Sequence, residues 1–479
     1  MRFNFFYTVT ILVLLSCSTE TQAKVTSYLP LQQNQLLEQK VDQLFVFANQ
    51  PIAKRPIAIR KVRSALNKVC PSTRFHHCQE LKTYLQSLQQ TAALSHASLT
   101  AQASDEKQYT RKNKRGSAYQ DDFIVQGQGI VNLSDYASIS VGAQITNEEQ
   151  SWEDSYISVG TDWAQLDLGY KPHWFSPFKH SAMLISTHAP TMATLSLSNS
   201  SPLSPLNINY ELFVGEMSES NRIRYQGEYI TGNPILTGFH LEFSPFSGFS
   251  LAVNRLLQSG GGEREGNSFS DLLNAFFDPS GADNTSDELG FDEQFGNQNA
   301  SLTSQFTFSG ETPFYIYLEY AGEDTSRGSN WRLGNSSLSA GVFIPLLIPN
   351  LSLTYEWSEW QNAWYSHSVY HDGMSNKGNI IGHWAAEYRT LEKDYYNNAV
   401  GAQHQYMQLD WYTSTTDSIS LQLSHTANEN YGAIDYIDAY NINAAWQTTI
   451  NSWPMRSEIE VGRDAFDNEY YRFALEVSL

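Results

Sequence analysis

From about residue 120 to the end of the chain, apolar and polar side chains alternate with a period of two. The final stretch is the clearest: Tyr471, Phe473, Leu475, Val477 and Leu479 interleave with Arg472, Ala474, Glu476 and Ser478. Such alternation puts one set on each face of a β-strand. Comparable stretches fall at 136–146, 207–214, 237–243, 249–257, 302–308, 313–320, 351–357, 404–413, 418–425, 440–450 and 455–463. Most are near the ~10 residues that a tilted strand needs to cross a bilayer. With weaker segments included, the pattern predicts about 18 strands, an even number within the range of bacterial outer-membrane barrels.

Upstream the period lengthens. Leu37, Val41, Leu44, Phe45 and Ala48 share one face at three- and four-residue spacing, which predicts an amphipathic helix over 31–49. A second helix is expected from Pro56, a residue suited to the first helical turn, through Ile59, Val62, Ala65, Leu66 and Val69. A third carries Leu81, Tyr84, Leu85 and Leu88. Cys70 and Cys78 stand between the second and third, and an even pair in an exported chain reads as a disulfide joining them. Without C-x-x-C spacing, no metal site is expected.

Export is written at the start of the chain. Arg2 precedes the apolar run Ile11 to Leu15, and Thr21-Gln22-Ala23 ends a predicted signal peptide over 1–23. Leu14-Leu15-Ser16-Cys17 offers an alternative, a lipoprotein cleavage box. Beyond this leader there is no run of 18 apolar residues, so a helical membrane protein is excluded. An exported chain that ends in an alternating amphipathic strand resembles outer-membrane barrels, although those usually finish on Phe or Trp and this one on Leu479.

Charge divides the chain. Residues 24–115 carry 15 basic and 5 acidic side chains, whereas 116–479 carry 14 and 44, for a total of −20. A nucleic-acid partner is excluded, because it would need a positive stripe to displace counterions. The break predicts a periplasmic helical bundle over 24–95, a linker over 96–120 and an outer-membrane barrel over 121–479. The basic run Lys107, Arg111, Lys112, Lys114 and Arg115 reads as part of the solvated linker. The expected fold is therefore mainly β: a large transmembrane antiparallel barrel with a small N-terminal α-helical periplasmic domain. If long loops face outward, 171–204, 258–299 and 321–337 share one side while 391–403 and 426–439 fall on the other, which implies a miscounted strand between 360 and 380.

Motifs for chemistry are sparse. G-x-S-x-G, P-loop, H-E-x-x-H and G-x-G-x-x-G are all missing, and no cofactor is expected. His180 with Ser181, or Ser186 with His188, could be imagined as hydrolase partners, but in a Pro-flanked loop such residues more often satisfy local hydrogen bonds. Asp278, Asp283, Asp287, Glu288, Asp292 and Glu293 lack EF-hand spacing and read as a solvated acidic loop. Phe269, Leu272, Leu273, Phe276 and Phe277 form a short amphipathic helix that either plugs the barrel or packs on its rim. Trp357, Trp360, Trp364, Tyr365 and Tyr370 alternate with Glu, Asn, His and Asp, a mixture suited to stacking on sugar rings or to a membrane girdle. Trp360, Trp364, Tyr365 and Tyr370 are the candidate glycan-binding residues.

Several blocks together resemble the capsule-assembly protein Wzi family. They are Gly169-Tyr170, His173-Trp174-Phe175-Ser176-Pro177 and Ser181-Ala182-Met183-Leu184-Ile185-Ser186-Thr187-His188-Ala189-Pro190. Phe276-Phe277-Asp278-Pro279 leading to Glu293 and Gly296-Asn297-Gln298, and Ile380-Ile381-Gly382-His383, are similar to two further blocks. Phe175 and Phe178 depart from the Trp or Gly of the family pattern. The resemblance implies an occluded outer-membrane barrel with a periplasmic helical bundle. It would act without catalysis as a lectin that attaches capsular or extracellular polysaccharide, in contact with outer-membrane lipid and with polysaccharide export machinery in the periplasm. The alternative reading of the same barrel is a porin-like channel for sugars or small solutes.

Overall fold

The computed structural model describes residues 25–72, 75–105, 109–264, 268–278, 290–326, 329–389, 399–414, 416–429 and 435–479. The predicted signal peptide, Cys17, Lys107 and Asp283, Asp287 and Glu288 of the acidic loop lie outside the described residues.

The period-two alternation is realised as one closed antiparallel sheet. Among the described residues it holds nineteen strands; the two-residue Gln150–Ser151 is a spur on Ala137–Thr146, which leaves a barrel of 18. Closure comes from the strand Ala92–Ser104, which pairs with Phe123–Ser134 on one side and with the last strand, Glu469–Ser478, on the other. Along Leu351–Trp360, Ser352, Thr354, Glu356 and Ser358 are buried in the lumen while Leu351, Leu353 and Tyr355 face outward. Outward aliphatics such as Leu99, Val141, Val253 and Leu302 form the lipid-facing band, with exposed Trp152, Trp163, Trp411, Trp446 and Trp453 near strand ends as its girdles.

The placement of that first strand corrects the expected domain boundary. The expected linker is not solvated: its residues 96–104 lie in the strand that completes the ring, and Arg111 and Arg115 further on are buried. A strand whose lumen face carries Ser95, Ser98, Thr100 and Gln102 has little apolar contrast. The segment therefore reads as polar connection.

Among the described residues three helices precede the barrel: α1 (Gln35–Ala48), α2 (Ile59–Val69) and α3 (Cys78–Ser87). The Cys70–Cys78 disulfide joins the end of α2 to the start of α3. Helix α2 begins three residues after Pro56 because residues 57–59 pair with 27–29 instead: Leu29 N–H donates to the Ile57 carbonyl at 3.0 Å and Ile59 N–H to the Ser27 carbonyl at 2.9 Å. Leu44, Val62, Ala65, Leu66, Leu81 and Leu85 close a shared core.

Register places every long connection at one end. Trp360 pairs directly with Ala402, so 361–401 is a single excursion and the strand suspected between 360 and 380 is not in the barrel. The connections 170–193, 260–295 and 429–438 leave from that same end. The opposite end has mostly short turns and both the helical unit and the C-terminus, which makes it the periplasmic end. Helix α4 (Phe269–Phe277) does not plug the barrel. Its Ala275 packs with Leu257 and Phe295, and Phe276 on the outward-facing Phe239, so it lies on the outer wall near the rim with Phe277 exposed.

Candidate binding site

A barrel whose inner wall is polar needs polar or internally satisfied contents, and the long loops supply them. Residues 170–193 fold back into the lumen almost wholly buried. Glu356 on the wall anchors this loop, accepting the Lys179 N–H at 2.7 Å and the His180 N–H at 3.2 Å while Tyr317 donates its hydroxyl at 2.8 Å. Phe175, Met183, Leu184 and Ile185 meet Trp360, Trp364, Tyr365, Ile380, Ile381 and Trp384 in an apolar core inside the barrel. The periplasmic segment closes on it from below, as Arg55 and Trp174 exchange backbone hydrogen bonds at 2.9 and 3.1 Å. The side chain of Asp42 on α1 binds Arg55 at 2.5 Å and Lys179 at 3.0 Å. Burial works against the charged Asp42 carboxylate, but Arg55 and Lys179 outweigh it and hold the group below its ordinary pKa. Loop 170–193 and the helical unit thus fill much of the lumen, leaving a cavity in its periplasmic half.

This packing corrects the reading of the aromatic cluster. Trp360, Trp364, Tyr365 and Tyr370 are 1%, 2%, 0% and 2% exposed, so they are not stacking platforms at loop tips. Tyr365 is a tie between two loops: its hydroxyl donates to the Met183 carbonyl at 2.5 Å and accepts the His383 N–H at 2.7 Å. Gly382 lets the loops come this close, since a Cβ there would stand 2.3 Å from the Tyr365 hydroxyl and 2.5 Å from the Met183 oxygen. Aromatic residues interleaved with polar ones have the same composition whether they face sugar or fill a polar barrel.

The imagined hydrolase groups are likewise structural. Ser186 Oγ donates to the Gly382 carbonyl at 2.6 Å rather than to an imidazole. His188 is fully buried, with Nδ1 accepting the Asn113 N–H at 3.3 Å and Nε2 2.9 Å from Glu387. His180 lies on the Tyr406 ring, centroids 4.0 Å apart, and burial keeps it well below the usual imidazole range.

Tyr370 borders an outward cavity. At the outer end, the connection 217–234 and residues 370–378 enclose a cleft of about 280 Å³. Its wall includes Glu219, Ser220, Gln258, Tyr370, Asp372 and Lys377. The hairpin Ser220–Tyr225 and Glu228–Gly232 braces it, with Ser220 donating to Asp372 at 2.7 Å and Arg222 3.4 Å from the same carboxylate. Tyr370 donates its hydroxyl to the Gly260 carbonyl at 2.9 Å, which fixes the ring at the floor. Gln258 Nε2 donates to the Gly373 carbonyl, whereas its Oε1 is buried with no hydrogen-bond partner among the described residues. A buried acceptor left open at the base of a polar cleft is suited to a hydroxyl donor. Asp372 is one of the polar residues interleaved with the aromatic cluster in the sequence, whereas Gln258 and Lys377 carry no local motif and sequence reasoning missed them.

The chain is similar in structure to Wzi of Escherichia coli, an outer-membrane protein involved in group 1 capsule assembly and described as a carbohydrate-binding β-barrel. The TM-score is 0.71 at 14% identity, covering 95% of this chain and 99% of that one. Weaker similarity reaches two Pseudomonas aeruginosa proteins, OccK3 and the outer-membrane protein OprD. OccK3 has a TM-score of 0.47 at 10% identity, covering 82% of this chain and 96% of its own, and OprD has 0.48 at 9%, covering 82% and 94%. No curated protein matches. The residue blocks that fill the lumen fall within a match over residues 90–465 to the family described as capsule assembly protein Wzi, and the chain belongs to that family.

Proposed function

We propose that this protein binds a capsular or extracellular polysaccharide at the outer surface of the outer membrane, without catalysis, and that the cleft around Gln258 and Asp372 is a point of contact with the glycan. The observation that carries this reading is the open acceptor Gln258 Oε1 at the base of a polar outward cleft, mounted on loops that form an apolar core inside the barrel. A carboxylate, an amide, hydroxyls and a tyrosine edge around about 280 Å³ match one sugar unit with its many hydroxyls. The loops that build the cleft rest on the plug, so the site is held rigid and little ordering is lost on binding.

The test is the ratio of cell-bound to shed polysaccharide in a strain lacking the gene, restored with wild-type or with Gln258→Leu/Asp372→Asn. Polysaccharide made normally but lost to the medium in the deletion strain, and retained only with the wild-type gene, is the expected result. A ratio that does not change on deletion overturns the attachment role, and full retention by the double variant moves the site away from this cleft. In planar bilayers the folded protein is expected to be electrically silent, whereas steady unit conductance would favour the channel.

A further inference from the structure

A second cavity lies deep in the periplasmic half of the lumen, between the start of α1, the inward segment 111–114 and the inner faces of the last strands. Its volume is about 140 Å³, close to the ~150 Å³ of a cavity that accepts benzene. Unlike such an apolar hole, it is lined by seven Lys or Arg and five Asp or Glu side chains, an excess of positive charge inside a chain of net charge −20.

Most of these cations are matched. Arg55 and Lys179 share Asp42, Lys112 and Arg472 share Glu460, and Arg456 meets Glu458 at 3.3 Å. Lys114 donates to the Gln32 backbone carbonyl. Burial, with Arg111 beside it, pulls the Lys114 ammonium down to about 8. Arg111 is different: it is 9% exposed, and its guanidinium makes no hydrogen bond or ion pair among the described residues. Glu460 and Glu476 attract it from beyond contact distance, and Glu460 is already held by Lys112, Tyr119, Asn441 and Arg472. Around the same space Gln35 Nε2 and Asn443 Oδ1 are buried without partners.

A buried guanidinium with open donors is costly unless oxygens are brought to it, and its planar fork matches a carboxylate. The orphaned amide donor and acceptor match hydroxyls. We propose that this chamber binds a small carboxylate-bearing sugar. Its carboxylate sits on Arg111 with Lys114 alongside, and its hydroxyls meet Gln35 and Asn443. The chamber reaches Pro454 and Ser478 at the periplasmic ends of the last two strands, so the ligand enters from the periplasm, at the opposite end of the barrel from the outer cleft. The choice of a sugar rests on the carbohydrate-binding reading above; the anionic site does not.

The experiment is calorimetric titration of the full-length detergent-solubilised protein with sodium glucuronate, glucose and inorganic phosphate. Glucuronate is expected to bind at least tenfold more tightly than glucose. Arg111→Gln should weaken glucuronate at least tenfold while the heat-modifiable gel shift of the folded barrel is kept, and Arg111→Lys should fall between. Asn443→Leu should weaken glucuronate without touching the cation, which keeps the test open should Arg111→Gln fail to fold. No binding by the wild type, equal binding by Arg111→Gln, or phosphate binding as tightly as glucuronate would each overturn the proposal. The readout is independent of surface retention: failure of the deletion-strain assay leaves this titration unaffected, and the reverse also holds.

Discussion

Replacing Asp42 by Ala should raise the undocked population of the helical unit while leaving the barrel folded. Asp42 is fully buried on α1 and holds two cations at once, Arg55 at 2.5 Å and Lys179 at 3.0 Å, which are themselves almost fully buried. Removing the carboxylate leaves both charges uncompensated, a change that costs about 3–5 kcal/mol for a buried pair. The unit keeps its other ties: Gln33 to Asp154 at 2.5 Å, Gln43 to Tyr412 at 3.1 Å and the Ile52 N–H to Gln305 at 3.0 Å. It therefore remains docked most of the time, but the open population rises roughly 150- to 5,000-fold. Where opening is fast relative to cleavage, proteolysis reads that population directly. Limited digestion of detergent-solubilised protein should release fragments from residues 25–91 faster by that factor, with the barrel core resistant. An Asp42→Leu/Arg55→Met double variant should recover part of the loss, since apolar replacement of a buried pair is far milder than breaking it. A single variant cleaved within twofold of wild type would refute the idea that Asp42 holds the unit in place.

Three further outcomes follow from the same contacts. Tyr365→Phe leaves the Met183 carbonyl and the His383 N–H without their partner, and should lower plug stability by about 1–3 kcal/mol in urea titration followed by tryptophan fluorescence; an unchanged midpoint would remove its role as a tie. Glu38 on α1 is pushed up to about 7 by burial, against the pull of Arg55 and Lys114. A raised carboxyl pKa stabilises the docked form fully below its unfolded value of ~4.5 and loses that contribution as pH rises through about 7, so undocking should become easier by roughly 1–3 kcal/mol between pH 4.5 and 8; Glu38→Gln should flatten this profile. Cys70→Ser opens a disulfide of sequence separation 8 and should destabilise the helical unit by about 2.5 kcal/mol in the chain-entropy account, read by hydrogen exchange of α2 and α3.

The parts of the fold legible in the sequence are those where one face meets lipid. Tyr471, Phe473 and Leu475 had to alternate with Arg472 and Ala474 because one side faces hydrocarbon and the other the lumen, and that contrast fixes both strand and register. The strand Ala92–Ser104 escaped because Ala, Ser and Thr dominate both its faces. Inside the barrel no such contrast exists. Trp364 and Tyr365 sit among polar residues in the chain and among apolar ones in space, so composition could not separate a sugar platform from a plug core. Gln258 meets Asp372 and Lys377 only because the end of the strand Phe249–Ser259 and residues 370–378 reach one rim, information that resides in topology rather than in any window of sequence.

The charge asymmetry has a different meaning from the one its pattern first suggested. A basic N-terminal quarter and an acidic remainder imply two domains with different partners, but in the folded chain each is the other's partner. Lys54 binds Glu211 at 2.5 Å, Arg60 binds Asp162 at 3.0 Å, Lys112 binds Glu460 at 3.1 Å and Arg115 binds Asp154 at 2.6 Å, every cation from residues 24–115 and every carboxylate from the barrel. These four cations are therefore consumed in seating the plug and are not displayed for an anionic polymer. Most of these groups are buried, where salt screens weakly, while surface pairs lose most of their attraction beyond a Debye length of about 10 Å at 0.1 M and ~3 Å at 1 M. Raising salt from 0.1 to 1 M should consequently leave the protease resistance of the helical unit almost unchanged. Release of the unit at 1 M salt would mean that the seating charges are solvated, and the basic segment would again be free to meet a partner.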